Sequence, residues 1–241
     1  MKKSAPRLRR ALADSHKLAT RLDEPGFPLT ELEHVQSWQR DRLARTYEDF
    51  ILQERYRAAG NFFLDELYGG LHFRERDQEM ERVLPFMVRM LRDDMILVLA
   101  EAFELQSLSL QFDMEMTTQF HRSGWDQLNT QRYGEIYRAC GRAKARENQI
   151  ELIHRLGLAL NELVHHRLVL WLIRTVRGPA RAAGFGLLQS FLENGLNAFR
   201  RMGDGSGFIE TVRRRESDVM RRLLVEDEDP FNVNQGSDSG I

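Results

Sequence analysis

Apolar residues recur every three or four positions along most of the chain, and almost nowhere every second position. That spacing is the signature of amphipathic helices. Leu8, Leu12, Leu18 and Leu22 lie near one side of a first helix over about residues 5–23, which EPGFP at 24–28 breaks. Thr30 and Glu33 fit a capping box. The helix they open carries Leu32, Val35, Leu43, Tyr47, Phe50 and Ile51 and runs to near Gly60.

The stretch NFFLDELYGG follows at 61–70. Asn61 starts a short helix in this reading. Phe62, Phe63, Leu67 and Tyr68 turn inward, and Asp65 and Glu66 outward. Gly69 or Gly70 takes the left-handed conformation that closes a helix. The charged stretch after it is a solvated crossing, with Asp77 capping the next helix. Asp93 or Asp94 then caps a long helix over about 94–121, apolar almost all round except for a stripe at Glu101, Glu104, Gln111, Glu115 and Thr118. A helix of that kind belongs at the centre of a fold.

Ser123-Gly124 ends it. One helix passes through Tyr133 and Tyr137 to Gly141, and another spans about 145–176 to Gly178-Pro179. Pro179 opens a segment with Gly184, Leu187, Leu188, Phe191, Leu192, Gly195, Ala198, Phe199 and Met202 on one face. After the loop GDGSG, a last helix shows Phe208, Ile209, Val212, Val219, Met220, Leu223 and Leu224. The expectation is one all-α, bundle-like domain of about eight to ten helices over residues 1–225. The acidic stretch 226–241 reads as a disordered tail.

Composition narrows the function. The chain has 241 residues and a net charge of −1, so no global field draws it to nucleic acid or an anionic membrane. The last sixteen residues hold five acids and no base, which leaves 35 basic against 31 acidic residues before them. The single cysteine, Cys140, excludes an internal disulfide and a cysteine-based zinc site. The N-terminus is basic but has no apolar signal region, and the longest purely apolar run, MILVLA at 95–100, is far short of a span. A cytoplasmic protein without a membrane segment is the expectation.

Three Glu-x-x-His pairs stand out: Glu31/His34, Glu151/His154 and Glu162/His165. Spacing of three puts both groups on one helix face, as carboxylate-bridged metal sites require. The last two pairs, however, sit eleven residues apart on one expected helix, about 16 Å along its axis. They cannot share an ion unless Gly157 breaks that helix. They also share a charged stripe with Glu147, Arg155 and His166, so solvated faces are the expectation and no metal site is assigned. No His-Asp dipeptide occurs. Cys140 sits at a helix end, where the dipole raises a thiol pKa, the wrong direction for a nucleophile.

No nucleophile elbow, phosphate loop or dinucleotide fingerprint is present. Gly184, Gly186 and Gly195 lie within a helical pattern and suit close helix–helix approach. Arg213-Arg214-Arg215 and Arg221-Arg222 make the last helix basic, but Glu210, Glu216 and Asp218 lie beside them. Ion pairing is the expectation there, with nucleic-acid binding the weaker alternative.

The run Phe62-Phe63-Leu64-Asp65-Glu66-Leu67-Tyr68 resembles the signature of a bacterial family known by its FFLEELY motif, with Asp65 in place of glutamate. RGPARAAGFGLLQSFLENGLNAFRRM and FIETVRRRE add to the likeness, which extends over about residues 30–224. The resemblance implies no assigned activity, cofactor or catalytic residue.

Two functions remain. The first is a non-enzymatic helical protein acting through a partner protein or a second copy of itself, with no cofactor. The alternative is a helical bundle that holds a metal, haem or small ligand in its core, as an oxidoreductase or a binder. No motif decides whether the chain is an enzyme.

Overall fold

The computed structural model describes residues 2–64, 82, 84, 85, 88–166, 171 and 186–233. Among these residues there are nine α-helices, one 3₁₀ turn and no strand. In chain order the helices are α1 (Ala5–Thr20), α2 (Leu29–Thr46), α3 (Glu48–Ile51), α4 (Glu54–Phe62), α5 (Asp93–Ser123), α6 (Thr130–Cys140), α7 (Ala143–Leu163), α8 (Gly186–Met202) and α9 (Ser206–Leu224).

The all-α class is as the periodicity predicts. So is the central place of α5, which packs against α1, α2, α6 and α7. By length and composition α5 is also long and apolar enough to cross a membrane, with a mean hydropathy of 1.3 over its most apolar window. In the fold its charges are met from neighbouring helices. Glu101 and Glu104 pair with Arg7 of α1, and Glu115 with Arg142 at the start of α7. Leu8, Leu12, Ile96, Ala100 and Phe103 seal the α1–α5 contact. A fully buried Leu or Ile contributes about 2 kcal/mol.

Several expected boundaries move, each for a local reason. The helix read from Thr30 to Gly60 is three helices. A continuous helix would give the Thr46 carbonyl to the amide of Phe50; instead Phe50 bonds Tyr47, and Arg215 of α9 donates to the Thr46 carbonyl at 2.8 Å. Gln53, with ψ of 124°, makes the second break. No side-chain cap forms at Thr30, because the helix begins one residue earlier, after Pro28. Asn61 lies inside α4 rather than starting a helix, so the chain runs helically into Phe62. Asp93 closes the N-terminus of α1, accepting from the Ser4 amide at 3.0 Å and the Ser4 hydroxyl at 3.2 Å. The helix expected to reach residue 176 ends at Leu163, where the His165 and His166 amides close tight turns onto the Glu162 and Leu163 carbonyls.

Two glycines are dictated by close approach. A Cβ on Gly195 of α8 would sit 2.7 Å from the Phe62 ring, and one on Gly157 of α7 would sit 2.9 Å from Ile209 of α9. Among the described residues nothing lies within 4 Å of where a Cβ on Gly186 would sit. Gly69, Gly70, Asp77, Pro179 and Gly184 lie outside the described residues, as do Asp65 to Tyr68 of the Phe-Phe stretch. Phe62 meets Phe191 of α8, with ring centroids 5.4 Å apart. Beyond α9 the described chain continues to Val233, and Phe231 docks edge-on against Trp38 and Tyr133. Residues 234–241 lie outside the described residues.

Candidate functional site

Helices α2, α5, α6, α7 and α9 meet around a polar cavity of about 70 Å³. Its charged and hydrogen-bonding lining is Gln39 and Arg42 from α2, Asp113 and Ser109 from α5, Tyr133 and Tyr137 from α6, Arg146 and Gln149 from α7, Glu216 from α9, and Tyr47. These side chains occupy positions where amphipathic helices ordinarily place Leu or Val. On α2 the inward register runs Leu32, Val35, Gln39, Arg42, Thr46, and all five are buried. On α7 it runs Arg146, Ile150 and then, past Ile153, Gly157.

Half of the cavity is electrostatically closed. The Arg42 Nη1 donates to both oxygens of Glu216, at 2.7 and 2.9 Å. The Tyr47 hydroxyl donates to the same carboxylate at 2.9 Å. Burial alone would lower the Arg42 pKa, but Glu216 outweighs it, so the guanidinium stays charged. Tyr47 is pushed well above its usual range, by burial first and by the Glu216 charge second. Ser109 accepts from Gln149 at 2.8 Å.

The other half is open. Arg146 is 6% exposed, and its guanidinium lies over the Tyr137 ring at 3.8 Å and the Phe112 ring at 4.5 Å. Among the described residues it forms no ion pair, and its Nε and Nη2 have no hydrogen-bond partner. Cys140 lies close enough for the guanidinium to pull its thiol pKa down against the larger effect of burial. Asp113 faces the same space and accepts from Gln36 at 3.1 Å and from Gln39. Desolvation lifts the Asp113 pKa to about 6, and the charge of Arg146 only partly offsets it. A buried cation without a partner is costly, since its donors lose water and gain nothing.

The residues singled out from sequence lie elsewhere. Glu31 accepts from His121 at 2.7 Å, which lowers its pKa, while His34 is exposed. Glu151 pairs with Arg213 at 2.8 Å, and His154 with Glu210 at 2.9 Å. Glu162 and His165 are exposed at the end of α7. Gly157 does not break α7, so the two pairs stay on one straight helix. Among the described residues no three His, Cys, Asp or Glu side chains gather as metal ligands.

The basic run of α9 is largely ion-paired. Arg213 holds Glu151 and Glu210, and Arg215 holds Asp49 through two bonds of 2.7 Å. Arg221 pairs with Asp218, whereas Arg214 is exposed. Of the expected counter-charges, Glu216 alone turns inward, to Arg42. The Cys140 pKa is raised, in the expected direction, but the first cause is burial, against which Arg146 pulls.

A shallow hollow of about 470 Å³ between α1 and α5 is lined by Asp14, Lys17, Arg21 and Glu104. It is open to solvent, and its charges are of mixed sign. Among the described residues Arg42 and Arg215 each leave a buried Nε without a partner, but Arg146 alone leaves both atoms of its Nε/Nη2 edge so. The signal that would have found the cavity is a charged residue standing in apolar register, as Arg42, Asp113 and Arg146 do.

No curated protein and no solved structure matches this chain. A family model does match residues 19–230, a range that includes every residue of the cavity. The chain belongs to the family described as a domain of unknown function, DUF8198.

Proposed function

We propose that this protein is a small-molecule binder, with its site in the polar cavity between α2, α5, α6, α7 and α9. The observation that carries the reading is the edge of Arg146, buried, charged and without a partner, beside a space of about 70 Å³. A single water needs about 10–15 Å³ on this scale, so the space takes several waters or one molecule of roughly four or five heavy atoms. The lining offers no activated nucleophile. Binding rather than turnover is therefore the role that the residues support.

The test is a thermal-shift panel of small anions, cations and neutral polyols against the wild type and against Ser109→Leu, which fills the cavity. A saturable rise in Tm with at least one solute, absent in the filled variant, is the expected result. A panel that moves neither protein counts against the reading.

The interaction role, through a partner protein or a second copy, has weaker support. Among the described residues the large exposed apolar side chains, such as Leu29, Leu52, Met90 and Leu158, belong to separate segments of the chain. The likeness of residues 62–68 to the FFLEELY signature, a bacterial source and a cytoplasmic location remain parts of this proposal.

A further inference from the structure

The free edge of Arg146 has a definite shape. Nε and Nη2 point the same way from the guanidinium plane, which makes a side-on fork for two oxygens about 2.2 Å apart. Among the described residues the same fork is filled by backbone carbonyl pairs at Arg55 and Arg57 and by a carboxylate at Arg7 and Arg92, and only the carboxylate also neutralises the charge. The Arg7 Nε and Nη2 hold the two oxygens of Glu104 at 2.7 and 2.6 Å, and those of Arg92 hold Asp94 at 3.2 and 2.9 Å. At Arg146 the fork is empty and sealed from bulk water. Leu43, Ile150, Ile153 and Val212 supply an apolar wall to the same cavity.

Resting on the small-molecule reading above, we propose that the ligand is a short alkyl monocarboxylate, gripped side-on by Arg146, and that it enters together with a proton taken up by Asp113. The carboxylate completes the missing ion pair. Its alkyl end lies against the apolar wall, and the space limits it to about the size of acetate or propionate.

The proton follows from where Asp113 stands. Gln36 and Gln39 from α2 bond its carboxyl, Arg146 from α7 acts on it through charge, and Arg42 from α2, Tyr133 and Tyr137 from α6 and Glu216 from α9 line the same cavity. Arg42 is already spent on Glu216, so Arg146 is the one cation of this set left to favour ionised Asp113. A bound carboxylate neutralises Arg146 and adds a second anion nearby. Both changes raise the Asp113 pKa from its resting value of about 6. Near neutral pH the ligand therefore brings in one proton from solvent, and lower pH favours binding.

The experiment is calorimetry with sodium acetate and sodium propionate, at pH 6.0 and 7.5, in buffers of different ionisation enthalpy. Saturable binding is expected, up to about tenfold tighter at pH 6.0, with uptake of close to one proton at pH 7.5. Arg146→Met abolishes it. Asp113→Asn keeps binding but removes both the pH dependence and the proton uptake. Circular dichroism confirms each fold, and Arg146→Lys, which keeps the charge but not the fork, serves if the Met variant fails to fold. Its affinity should fall at least tenfold.

Binding that survives Arg146→Met or Arg146→Lys unchanged overturns the proposal, as does binding without proton uptake. Saturable binding of inorganic phosphate or a neutral polyol, with none of acetate or propionate, overturns the ligand class and leaves the small-molecule reading standing. No binding by any solute removes both.

Discussion

Arg146 and Arg215 are buried to nearly the same depth, 6% and 7% exposed, and each lies over two aromatic rings with its Nε unpartnered, yet only Arg215 holds a carboxylate. Arg215 reaches from α9 to Asp49 with two bonds and to the Thr46 carbonyl with a third. It is a structural tie: it stops α2 and fixes the turn into α3. Arg146 rests on two aromatic rings and offers an empty fork to a cavity. A fold tolerates an unpaired buried cation only against a stability cost. That cost marks a place where stability has been given up, and such places concentrate at functional sites. The difference teaches that burial of an arginine says little until its partner is identified.

The comparison breaks or sharpens through four measurements. Asp49→Ala strips Arg215 of its counter-charge and should destabilise the protein by about 3 kcal/mol in denaturant unfolding. That is the low end for a broken buried pair, because Asp49 itself is 45% exposed. Asp113→Asn should work the other way. The folded-state pKa of about 6 lies above the ordinary 3.8. The folded protein therefore keeps a proton that the unfolded chain loses, and wild-type stability falls as pH rises from about 4 to 6. The variant should match the wild type near pH 4 and exceed it by about 2 kcal/mol at pH 7.5.

Arg146→Met should leave stability unchanged or raise it by about 1 kcal/mol, since it removes a charge that has no partner. A loss as large as that of Asp49→Ala would show that Arg146 is a tie after all. The smallest effect belongs to Glu151→Gln with His154→Ala. Glu151 pairs with Arg213 and the half-buried His154 with exposed Glu210, so Tm should move by less than about 2 °C, and added zinc or iron should shift neither protein.

Much of the fold was legible in the residues. The period of three to four positions located α1, α5, α6 and α9 closely, and α5 ends at Ser123-Gly124 as expected, with Gly124 in the left-handed conformation. The misread stretch, residues 30–60, failed at Tyr47 for a reason no local pattern holds: Arg215 takes the Thr46 carbonyl from 169 residues away. The candidate chemistry was misplaced in the same manner. Glu-x-x-His pairs are visible because both partners share a helix, and the structure spends Glu151 and His154 on surface ion pairs. Asp113 escaped notice inside an apolar helix, and Arg42 finds Glu216 across 174 residues.

The residues alone determined that the chain is helical, which faces of its helices are apolar and that α5 is central. Those properties are set within one or two turns, by hydrogen bonds to near neighbours and by the angle between successive side chains. Which polar groups meet in the core was decided only when five helices crossed. Pairing depends on crossing angles and on register between segments far apart in the chain. A single unmatched guanidinium then becomes visible only when every neighbour is in place.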